Sequence, residues 1–475
     1  MAVSSPTRPA VARDGRHRSL WLQQALGDAP DAPPLTGATT ADVVIAGGGF
    51  VGLWTALRLK ELDPACDVVV LERDVCGGGA SGRNGGMALS WWPKLSSLIR
   101  ICGPEEALRL ARASEAAVGE LGAFCEAHGI DAEVTPGGML WTATAPAHVG
   151  AWEAVMRQCA SVGAEPFVRL SAAEVAARTG SSLHLAGVLE PAAVTVQPAK
   201  LARGLRRVAL ERGVRIHERT AVTGFTRERP LRVTTDHGHV DAQRLVIATN
   251  AWAQAIPELR RSFVTVTSDI VATAPIPDRL AELGWTGGES VTDSQMMVNY
   301  YRTTRDGRLV FGKGTAGLRL GTTVGDRLDR NPAHTALVTA ELHRTYPQLA
   351  GVPIARDWGG PIDRTPTSIP RIGRLDGRDH LLVGVGWSGN GVGPSLLGGQ
   401  ILARLALGIR DQWTTSPLVD HRHDRFPPDP VRYVSGRLVR QAVVRKERAE
   451  AAGRRPRGLD VRLARLAPAG LEDKH

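Results

Sequence analysis

The chain has few cysteines and no long apolar run. Its five cysteines are odd in number and never form a CxxC pair, so neither a disulfide framework nor a cysteine metal site is expected. These residues are Cys66, Cys76, Cys102, Cys125 and Cys159. Because no apolar stretch reaches about 18 residues, no membrane span is expected. The first 30 residues lack the apolar core of a signal peptide, which favours a cytoplasmic protein with reduced thiols.

Patterns of metal-ligating residues are scarce as well. The 13 histidines offer only two HxH pairs, His237 with His239 and His421 with His423, in segments that read as exposed. No bound metal is therefore expected.

Positive charge is in excess, and it is concentrated in one segment. Between Val431 and Arg457 nine basic residues stand against two acidic ones, while the whole chain carries +10. The same segment places apolar residues at helical spacing, which predicts a basic amphipathic helix packed on the body by one face. These residues are Val431, Val434, Leu438 and Ala442. A solvated basic face explains the excess, so no nucleic-acid partner is expected; an anionic surface or a nucleic acid stays the alternative.

Glycine is abundant, and its most informative run follows an apolar stretch. At 475 residues, with 53 glycines, the chain is long enough for two domains with several close backbone approaches to a ligand. Gly47, Gly49 and Gly52 spell GxGxxG between the strand-like run Val43 to Ala46 and the helix-like segment Leu53 to Leu62. This context predicts a cradle for a pyrophosphate at the positive N-terminus of a helix. The alternative is a βαβ unit with a glycine turn and no ligand.

An acidic residue completes the pattern. A second apolar run, Val68 to Leu71, ends in Glu72, twenty residues after Gly52. A carboxylate at this distance binds the 2′-hydroxyl of a ribose, which argues against NADP. The motif by itself does not distinguish NAD from FAD.

The later chain leaves this nucleotide unit and returns to it. A glycine-rich loop follows Glu72, from Cys76 to Trp92, and helical patterning then runs from Glu105 to His128. A strand-like patch near Gly138 to Thr144 indicates an inserted second domain, and Val196 to Phe225 restores a helix-to-strand alternation.

Two further segments extend the pattern. Leu245 to Ala248 reads as a buried strand, and Leu381 to Val385 is a strand followed by a glycine turn and a helix near Val392. Between them, a DG turn at Asp306 and Gly307 joins two strand-like runs of a second excursion. A nucleotide domain interrupted in this way suits a flavoprotein better than a simple NAD dehydrogenase.

Four pieces of the sequence resemble the D-amino acid oxidase-like superfamily of FAD-dependent oxidoreductases, which includes glycine oxidase, monomeric sarcosine oxidase and γ-glutamylputrescine oxidase. They are "DVVIAGGGFVGLWTALRL", "VVVLERDVCGGGASGRNGG", "VIATNAW" and "GVGWSGNGVGPSLLGGQILARLALG", which spread from residue 42 to 408. The "GGGASGRNGG" loop and the polar residues before Ala41 are most similar to the γ-glutamylputrescine oxidase branch.

The resemblance implies FAD and assigns its contacts along the chain. Gly47, Gly49 and Gly52 would hold the pyrophosphate and Glu72 the adenosine ribose. The remaining implied cofactor contacts are Ser81, Arg83, Asn84, Gly85, Val222, Thr249, Trp252, Gly389, Asn390, Gly391 and Val392. Relatives often show His where this chain has Asn390. Those that bind flavin covalently use a late Cys or an early His, and the chain has no Cys after Cys159, so non-covalent FAD is expected.

The implied fold is α/β, with a discontinuous Rossmann-like FAD-binding domain, an inserted α+β substrate domain and a C-terminal helical tail. The expected boundaries are a polar lead-in over 1–40, the FAD-binding domain over 41–100, 186–262 and 355–412, the substrate domain over 101–185 and 263–354, and a basic tail over 413–475.

The implied reaction is oxidation of a C–N bond in an amine or amino acid by hydride transfer to flavin N5. Water would hydrolyse the imine to a carbonyl, and O2 would be reduced to H2O2. A helix N-terminus near Asn390 would stabilise charge at the flavin, and Lys313 would be the cation that assists reoxidation.

Three residues are expected to bind the substrate. Arg302, with its planar fork, would bind a carboxylate. Tyr300 and Tyr301 alternate on their strand, so only one can face the flavin, and Tyr301 is our candidate. Trp91 would wall an apolar pocket. Solvated hairpin residues and ordinary core packing are the competing explanations.

Two other classes of function compete with an oxidase. A dehydrogenase of the same fold would pass electrons to a carrier protein or a quinone, or the flavoenzyme would serve a specialised biosynthetic pathway. A serine hydrolase is suggested by Ser388 at a turn in "GVGWSGNG", but Asn390 breaks the GxSxG pattern.

Overall fold

A computed structural model describes residues 18–27, 31–318, 320–321, 324, 330–422 and 424–468. Half of the polar lead-in (residues 1–17 and 28–30), the last seven residues of the basic tail and His423 lie outside the described residues.

The strands, in chain order, are β1 (Gly37–Ala46), β2 (Val68–Leu71), β3 (Met87–Ala88), β4 (Thr135–Pro136), β5 (Met139–Ala143), β6 (Val168–Ser171), β7 (Ala186–Glu190), β8 (Val194–Thr195), β9 (Arg215–His217), β10 (Val222–Phe225), β11 (Leu231–Thr235), β12 (Gly238–Ile247), β13 (Val264–Thr273), β14 (Ser290–Asp293), β15 (Asn299–Thr303), β16 (Leu309–Lys313), β17 (Ile354–Arg364), β18 (Arg371–Leu375) and β19 (Arg378–Val385). The α-helices are α1 (Leu20–Leu26), α2 (Phe50–Leu62), α3 (Leu95–Cys102), α4 (Pro104–Ala127), α5 (Glu153–Ser161), α6 (Ala172–Thr179), α7 (Pro198–Glu211), α8 (Pro277–Glu282), α9 (Pro332–Thr345), α10 (Pro394–Ala406), α11 (Val431–Ala451) and α12 (Gly458–Ala464). The helix and strands predicted around the glycine motif are confirmed, with ends that differ by a few residues.

The first sheet has parallel strands at its centre. It has eight strands: the order is β10-β11-β12-β1-β2-β9, β19 joins it beside β12, and β18 pairs with β19. Ile45 of β1 pairs with Val70 of β2 and with Val246 of β12, both in parallel register. The paired ends of these strands, 43–46, 68–71 and 245–247, are buried, as expected for a parallel sheet covered on both faces. The predicted Rossmann-like α/β arrangement, returning late in the chain, is confirmed.

The second sheet also has eight strands, in the order β17-β13-β16-β15-β14-β5-β7-β6. β13 and β17 pair antiparallel along their whole length, and the predicted DG turn joins the antiparallel pair β15 and β16. Two of its strands, β7 and β17, fall inside segments expected to belong to the FAD-binding domain. They pair with β5 and β13, so the second sheet takes more of the chain than those boundaries allow.

Helix α4 lies in the segment expected to form the substrate domain. Its residues Leu110, Val118 and Leu121 belong to the same buried cluster as Leu53 of α2 and Leu402 of α10. Burial against the nucleotide-domain helices therefore decides the position of α4, although its sequence neighbours belong to the second sheet.

The C-terminal helix α11 forms as predicted, but it packs by a different face. Val431, Val434 and Leu438 are 56, 55 and 54% exposed, whereas Ala442 is buried. The body-facing side instead carries Val443 and Glu447. Within the described residues no helix is both long and apolar enough to cross a membrane.

All five cysteines are free, and four of them are buried. Among the described residues no group of three or more His, Cys, Asp and Glu side chains could hold a metal ion.

Candidate active site

The glycine motif forms a turn in which side chains have no room. Gly47 has φ +112°, and a Cβ there would lie 2.5 Å from the carbonyl oxygen of Ala248. A Cβ on Gly52 would lie 2.0 Å from the carbonyl oxygen of Gly47, so the third glycine lets α2 pack against the end of β1. A Cβ on Gly49 would lie 2.9 Å from Ser81 Oγ. The turn is therefore built for close approach of backbone to backbone and to a ligand.

The start of α2 faces the next loop. The amide of Phe50, the first residue of α2, donates to Ser81 Oγ at 2.9 Å. The first amides of a helix favour negative charge. Gly49, Phe50 and Ser81 line one cavity, so this helix start is placed to meet an anionic group.

Glu72 stands at the end of β2, beside the glycine turn. Its Oε2 accepts from the amide of Gly48 at 2.8 Å, and its Oε1 accepts from the amide of Asp74 at 2.9 Å. Burial raises the pKa of Glu72 to about 7, against the two amide hydrogen bonds, which lower it. Its carboxyl group lines the cavity as a fixed hydrogen-bonding group.

The glycine-rich loop after β2 supplies the next part of the wall. Arg83 donates from Nε to the carbonyl of Gly78 at 3.0 Å. Asn84 donates from Nδ2 to the carbonyls of Ala80 and Ser81, each at 3.0 Å, and accepts from the amide of Gly86 at 2.7 Å. These bonds within the loop fix its side chains against the cavity.

The opposite wall carries an aromatic ring. Trp252 lies in the turn after β12, and the guanidinium of Arg73 lies 4.7 Å from its ring centroid. Its buried Nε1 has no hydrogen-bond partner among the described residues. A buried donor without a partner is costly, so this indole is poised for an acceptor on a ligand. Val222 and Thr249 line the same wall.

The far end of the cavity is the turn between β19 and α10. Ser388 and Gly389 have φ +56° and +90°, which turns the chain sharply before α10. Asn390 donates from Nδ2 to the carbonyl of Ser90 at 3.0 Å, while its buried Oδ1 has no partner in the described part of the chain. The turn thus presents an open acceptor and nearby backbone to the cavity.

These walls enclose a cavity of about 760 Å³. It brings together fourteen of the fifteen residues implied as cofactor contacts, from segments more than 300 positions apart in the chain. They are Gly47, Gly49, Glu72, Ser81, Arg83, Asn84, Gly85, Val222, Thr249, Trp252, Gly389, Asn390, Gly391 and Val392. Gly52 lies behind the turn, where it packs against Gly47.

The tyrosine that reaches the cavity is Tyr300 and not Tyr301. Tyr300 lines the cavity and shares a hydrogen bond of 2.7 Å with Ser268 Oγ. Tyr301 points to the other face of the sheet, where its ring stacks on Phe311 and its hydroxyl lies 3.0 Å from His184 Nε2. The candidate Tyr301 is therefore a core residue of the second sheet. The nucleotide domain covers the other face of the sheet, which carries Tyr300.

Arg302 and Trp91 are also absent from the described cavity wall. The guanidinium of Arg302 donates to the carbonyl of Val196 at 2.6 Å and lies 5.0 Å from the ring centroid of Trp21. Burial lowers the pKa of Arg302 to about 10. Trp91 is 1% exposed and belongs to the core of the nucleotide domain. The structure thus does not place either side chain where it would touch a substrate in the cavity.

Lys313 is buried behind the wall. Its Nζ donates to the carbonyl of Met297 at 2.9 Å and to side-chain oxygens of Gln295 and Asn299, each at 3.1 Å. The neighbouring residues Val298 and Gly314 line the cavity, whereas Lys313 is not among the described lining residues. Lys313 therefore supports a cavity-lining segment from behind.

Two residues of the wall have no counterpart among the sequence candidates. Arg364, at the end of β17, lines the cavity and donates to the carbonyl of Ser388 at 3.2 Å; burial lowers its pKa to about 10. Asp363 accepts from the amides of Gly386 and Trp387, at 2.5 and 3.1 Å, and burial raises its pKa to about 7. The one feature of the sequence that could have indicated these two residues is the pair of adjacent opposite charges at the end of a strand.

The geometry fits FAD. The glycine turn at the start of α2 leaves space that a Cβ would fill, and the carboxyl group of Glu72 is fixed at the end of the neighbouring strand. Trp252 and Asn390 each have a buried polar atom without a partner among the described residues. Fold and cavity together define a flavin-dependent oxidoreductase with a nucleotide domain and a second, antiparallel sheet.

Comparison with known proteins identifies the family. The DAO family model, described as FAD dependent oxidoreductase, matches residues 42–405. The chain belongs to this family, and FAD is its cofactor.

The chain is similar to proteins of this family along most of its length. It is 29% identical to the gamma-glutamylputrescine oxidoreductase of Escherichia coli (strain K12), over 85% of this chain and 92% of that protein. It is 28% identical to a probable oxidoreductase, OrdL, of Haemophilus influenzae, over 79% of this chain and 85% of that protein. The glycine oxidase structure from Geobacillus kaustophilus shares the fold, with TM-score 0.66 and 22% identity, over 82% of this chain and 100% of that one.

Proposed function

We propose that the chain is an amine or amino acid oxidase that acts on a C–N bond and reduces O2 to H2O2. An amine with hydrogen on the carbon next to nitrogen, O2 and water would give a carbonyl compound, a free amine and H2O2. The C–N unit loses two electrons and two protons, with one hydrogen leaving carbon and the other leaving nitrogen, and O2 gains them. The observation that carries the proposal is the cavity that joins the nucleotide cradle, at Gly47, to Tyr300 of the second sheet.

FAD, when bound, supplies the two-electron acceptor for this oxidation. Gly47, Gly49 and the start of α2 would hold the pyrophosphate, and Glu72 the ribose. Trp252 would supply its unpartnered indole N–H to the same ligand, at the wall shared with Val222.

The turn before α10 would serve the reacting end of the cofactor. Asn390 holds its own position through the carbonyl of Ser90, which leaves its Oδ1 and the backbone of Gly391 for the ligand. The buried guanidinium of Arg364 is fixed on the carbonyl of Ser388, beside this turn. A fixed positive charge here would stabilise negative charge that develops during the reaction, since charges interact strongly in a buried site.

We also propose that FAD is held without a covalent bond. Covalent attachment needs a nucleophilic side chain at the cofactor, and the described residues that line the cavity include neither cysteine nor histidine. Four of the five thiols are buried, and burial raises the pKa of Cys66 and Cys125 to about 11. The five free cysteines also fit a reducing compartment, and the cytoplasm is the location we propose.

The substrate would lie between the turn before α10 and the second sheet. Tyr300, Ser268 and Thr292 give this region hydroxyl groups, while Val298 and Ile362 give it apolar surface. A substrate with an aliphatic chain and polar ends fits this mixed lining. The likeness to the Escherichia coli enzyme named for γ-glutamylputrescine supports an acylated polyamine as the first compound to try.

Serine hydrolysis has no support from the turn that suggested it. Ser388 Oγ donates to the carbonyl of Gly386 at 3.1 Å and accepts from the amide of Thr365 at 3.1 Å. These partners hold the hydroxyl as part of the turn, and among the described residues no base is shown activating it.

The proposal is tested by the balance of products in aerated solution. Purified protein is given amino acids, N-methyl amines or acylated polyamines, and O2 uptake, H2O2 and the free amine are measured. We expect one class of compound to give one H2O2 for each amine oxidised. Turnover that needs an added dye acceptor and forms no H2O2 would contradict O2 as the acceptor and favour a dehydrogenase.

A further inference from the structure

The short helix α1 lies outside both sheets, yet it is bound to the loop that lines the cavity. Trp21, 1% exposed, donates from Nε1 to the carbonyl of Asn84 at 2.9 Å. Ser19 donates from Oγ to the carbonyl of Gly82 at 2.5 Å, and the same oxygen caps α1 by accepting from the amide of Leu22. Two side chains at the start of the helix, Ser19 and Trp21, therefore hold the loop from behind.

A third side chain, also an indole, completes this set of contacts. Trp358 of β17 donates from Nε1 to the carbonyl of Arg83 at 2.9 Å. Its ring packs edge-on against Trp21, with centroids 6.0 Å apart. The carbonyls of residues 82, 83 and 84 are thus each held by a different side chain on the side away from the cavity.

The helix itself is anchored independently of the loop. The carbonyl of Trp21 accepts from Gln197 Nε2 at 2.8 Å. The guanidinium of Arg302, 5.0 Å from the ring centroid of Trp21, is held on the carbonyl of Val196. Since α7 and β15 fix α1 in this way, α1 can act as a rigid support for the loop.

We infer that Trp21 and Ser19 are positioning residues of the FAD site, and that α1 belongs functionally to the cofactor-binding unit although it precedes the glycine motif. With its three carbonyls bound from behind, the loop presents Ser81, Arg83 and Asn84 to the cavity in one fixed arrangement. Preorganised contacts of this kind raise affinity because the loop is not ordered at the moment of binding. The inference rests on the cavity being the FAD site.

The decisive variant is Trp21→Phe, which keeps a buried aromatic ring and removes the N–H. Trp285→Phe is the matched control: Trp285 is also buried, but it packs in the core of the second sheet, and its Nε1 has no partner among the described residues. Ser19→Ala removes a second loop contact and tests the same support from another residue. Each apoprotein is titrated with FAD, and the dissociation constant, thermal unfolding midpoint and visible circular dichroism of the bound flavin are measured.

We expect Trp21→Phe to raise the FAD dissociation constant by about tenfold, since one buried hydrogen bond is worth up to about that factor. The flavin circular dichroism should change as well, and Ser19→Ala should act in the same direction. Trp285→Phe should leave the dissociation constant within about twofold and change only the unfolding midpoint. Unchanged affinity and dichroism in Trp21→Phe would overturn the inference, even if its midpoint falls. Wild-type protein that does not bind FAD would instead contradict the cofactor site itself.

Discussion

Two helical glycines show how one methyl group would act at the residue scale. A Cβ at Gly52 in α2 would lie 2.0 Å from the carbonyl oxygen of Gly47, whereas at Gly119 in α4 it would meet nothing within 4 Å. We expect Gly52→Ala to cost several kcal/mol, on the order of an overpacked core, and to lose FAD. Gly119→Ala should be neutral or stabilise by up to about 1 kcal/mol. Thermal unfolding and the flavin content of the purified variants check this, and a stable, yellow Gly52→Ala protein would refute it.

The neighbouring tyrosines give a second prediction at this scale. Tyr300→Phe removes a hydroxyl from the cavity wall, so we expect KM for the amine to rise several-fold. Tyr301→Phe removes a hydroxyl bonded in the core, so we expect the unfolding free energy to fall by about 1 kcal/mol with KM unchanged. Steady-state kinetics and thermal unfolding of both variants distinguish the two roles. A raised KM in Tyr301→Phe alone would show that the sheet faces are assigned wrongly.

The same pair shows what the sequence can and cannot predict about the site. Strand alternation indicated that only one tyrosine faces the cavity, but the choice depends on which face the nucleotide domain covers. That is a property of the packed molecule and not of local pattern. The positions of Gly47 and Glu72 in the site could be predicted because both belong to a local sequence motif. Arg364 is the last residue of β17 and belongs to no motif.

At the scale of one element, α11 places a buried carboxyl group against the connection between β14 and β15 of the second sheet. Glu447 accepts from the amide of Met297 at 2.7 Å, near Lys313, Asp293 and Lys446. Burial raises the pKa of Glu447 to about 7, an effect that Lys313 reduces. The folded protein therefore keeps a proton that the unfolded chain releases at its ordinary pKa of about 4.3. Stability from this group is present in acid and is lost as pH rises through 7.

We expect Glu447→Gln to remove this loss. Relative to wild type, the variant should gain up to about 3 kcal/mol between pH 4.5 and pH 7, with no further gain above. Glu450→Gln on the same helix is the control: although burial raises the pKa of Glu450, hydrogen bonds from His148 and Lys446 lower it overall, so stability from this carboxylate is already present above its ordinary pKa of about 4.3. That variant should therefore be less stable than wild type by a constant amount from about pH 5 to pH 8. Unfolding midpoints from pH 4.5 to 8 measure both slopes. Parallel slopes in wild type and Glu447→Gln would contradict the buried placement of Glu447.

Elements were easier to predict than their partners. The helical pattern of α4 is visible in the sequence, but α4 packs on the nucleotide domain. β17 falls almost wholly in a segment assigned to the FAD-binding domain, yet it pairs in the second sheet. Apolar periodicity indicates that a face is buried without indicating against what. Val434 of α11 is the clearest instance. Helical spacing predicted that its face packs on the body, but Val434 is exposed.

At the scale of the whole molecule, the site exists only where the two sheets meet. The family match spans residues 42–405, and it leaves α1 and α11 outside. Both helices nevertheless bind segments that border the cavity, α1 through Asn84 and α11 through Met297. We therefore expect affinity for FAD and the shape of the substrate region to depend on parts of the chain that the family pattern does not include.

The central claim is that an amine reduces the flavin held in this cavity. Purified protein loaded with FAD is kept free of oxygen and titrated with amino acids, N-methyl amines and acylated polyamines while the flavin absorbance is followed. We predict that one of these classes bleaches the flavin band and that admitting air restores it with release of H2O2. A flavin band that no amine of the panel bleaches, in a protein that binds FAD fully and is reduced by dithionite, would contradict the proposed reaction.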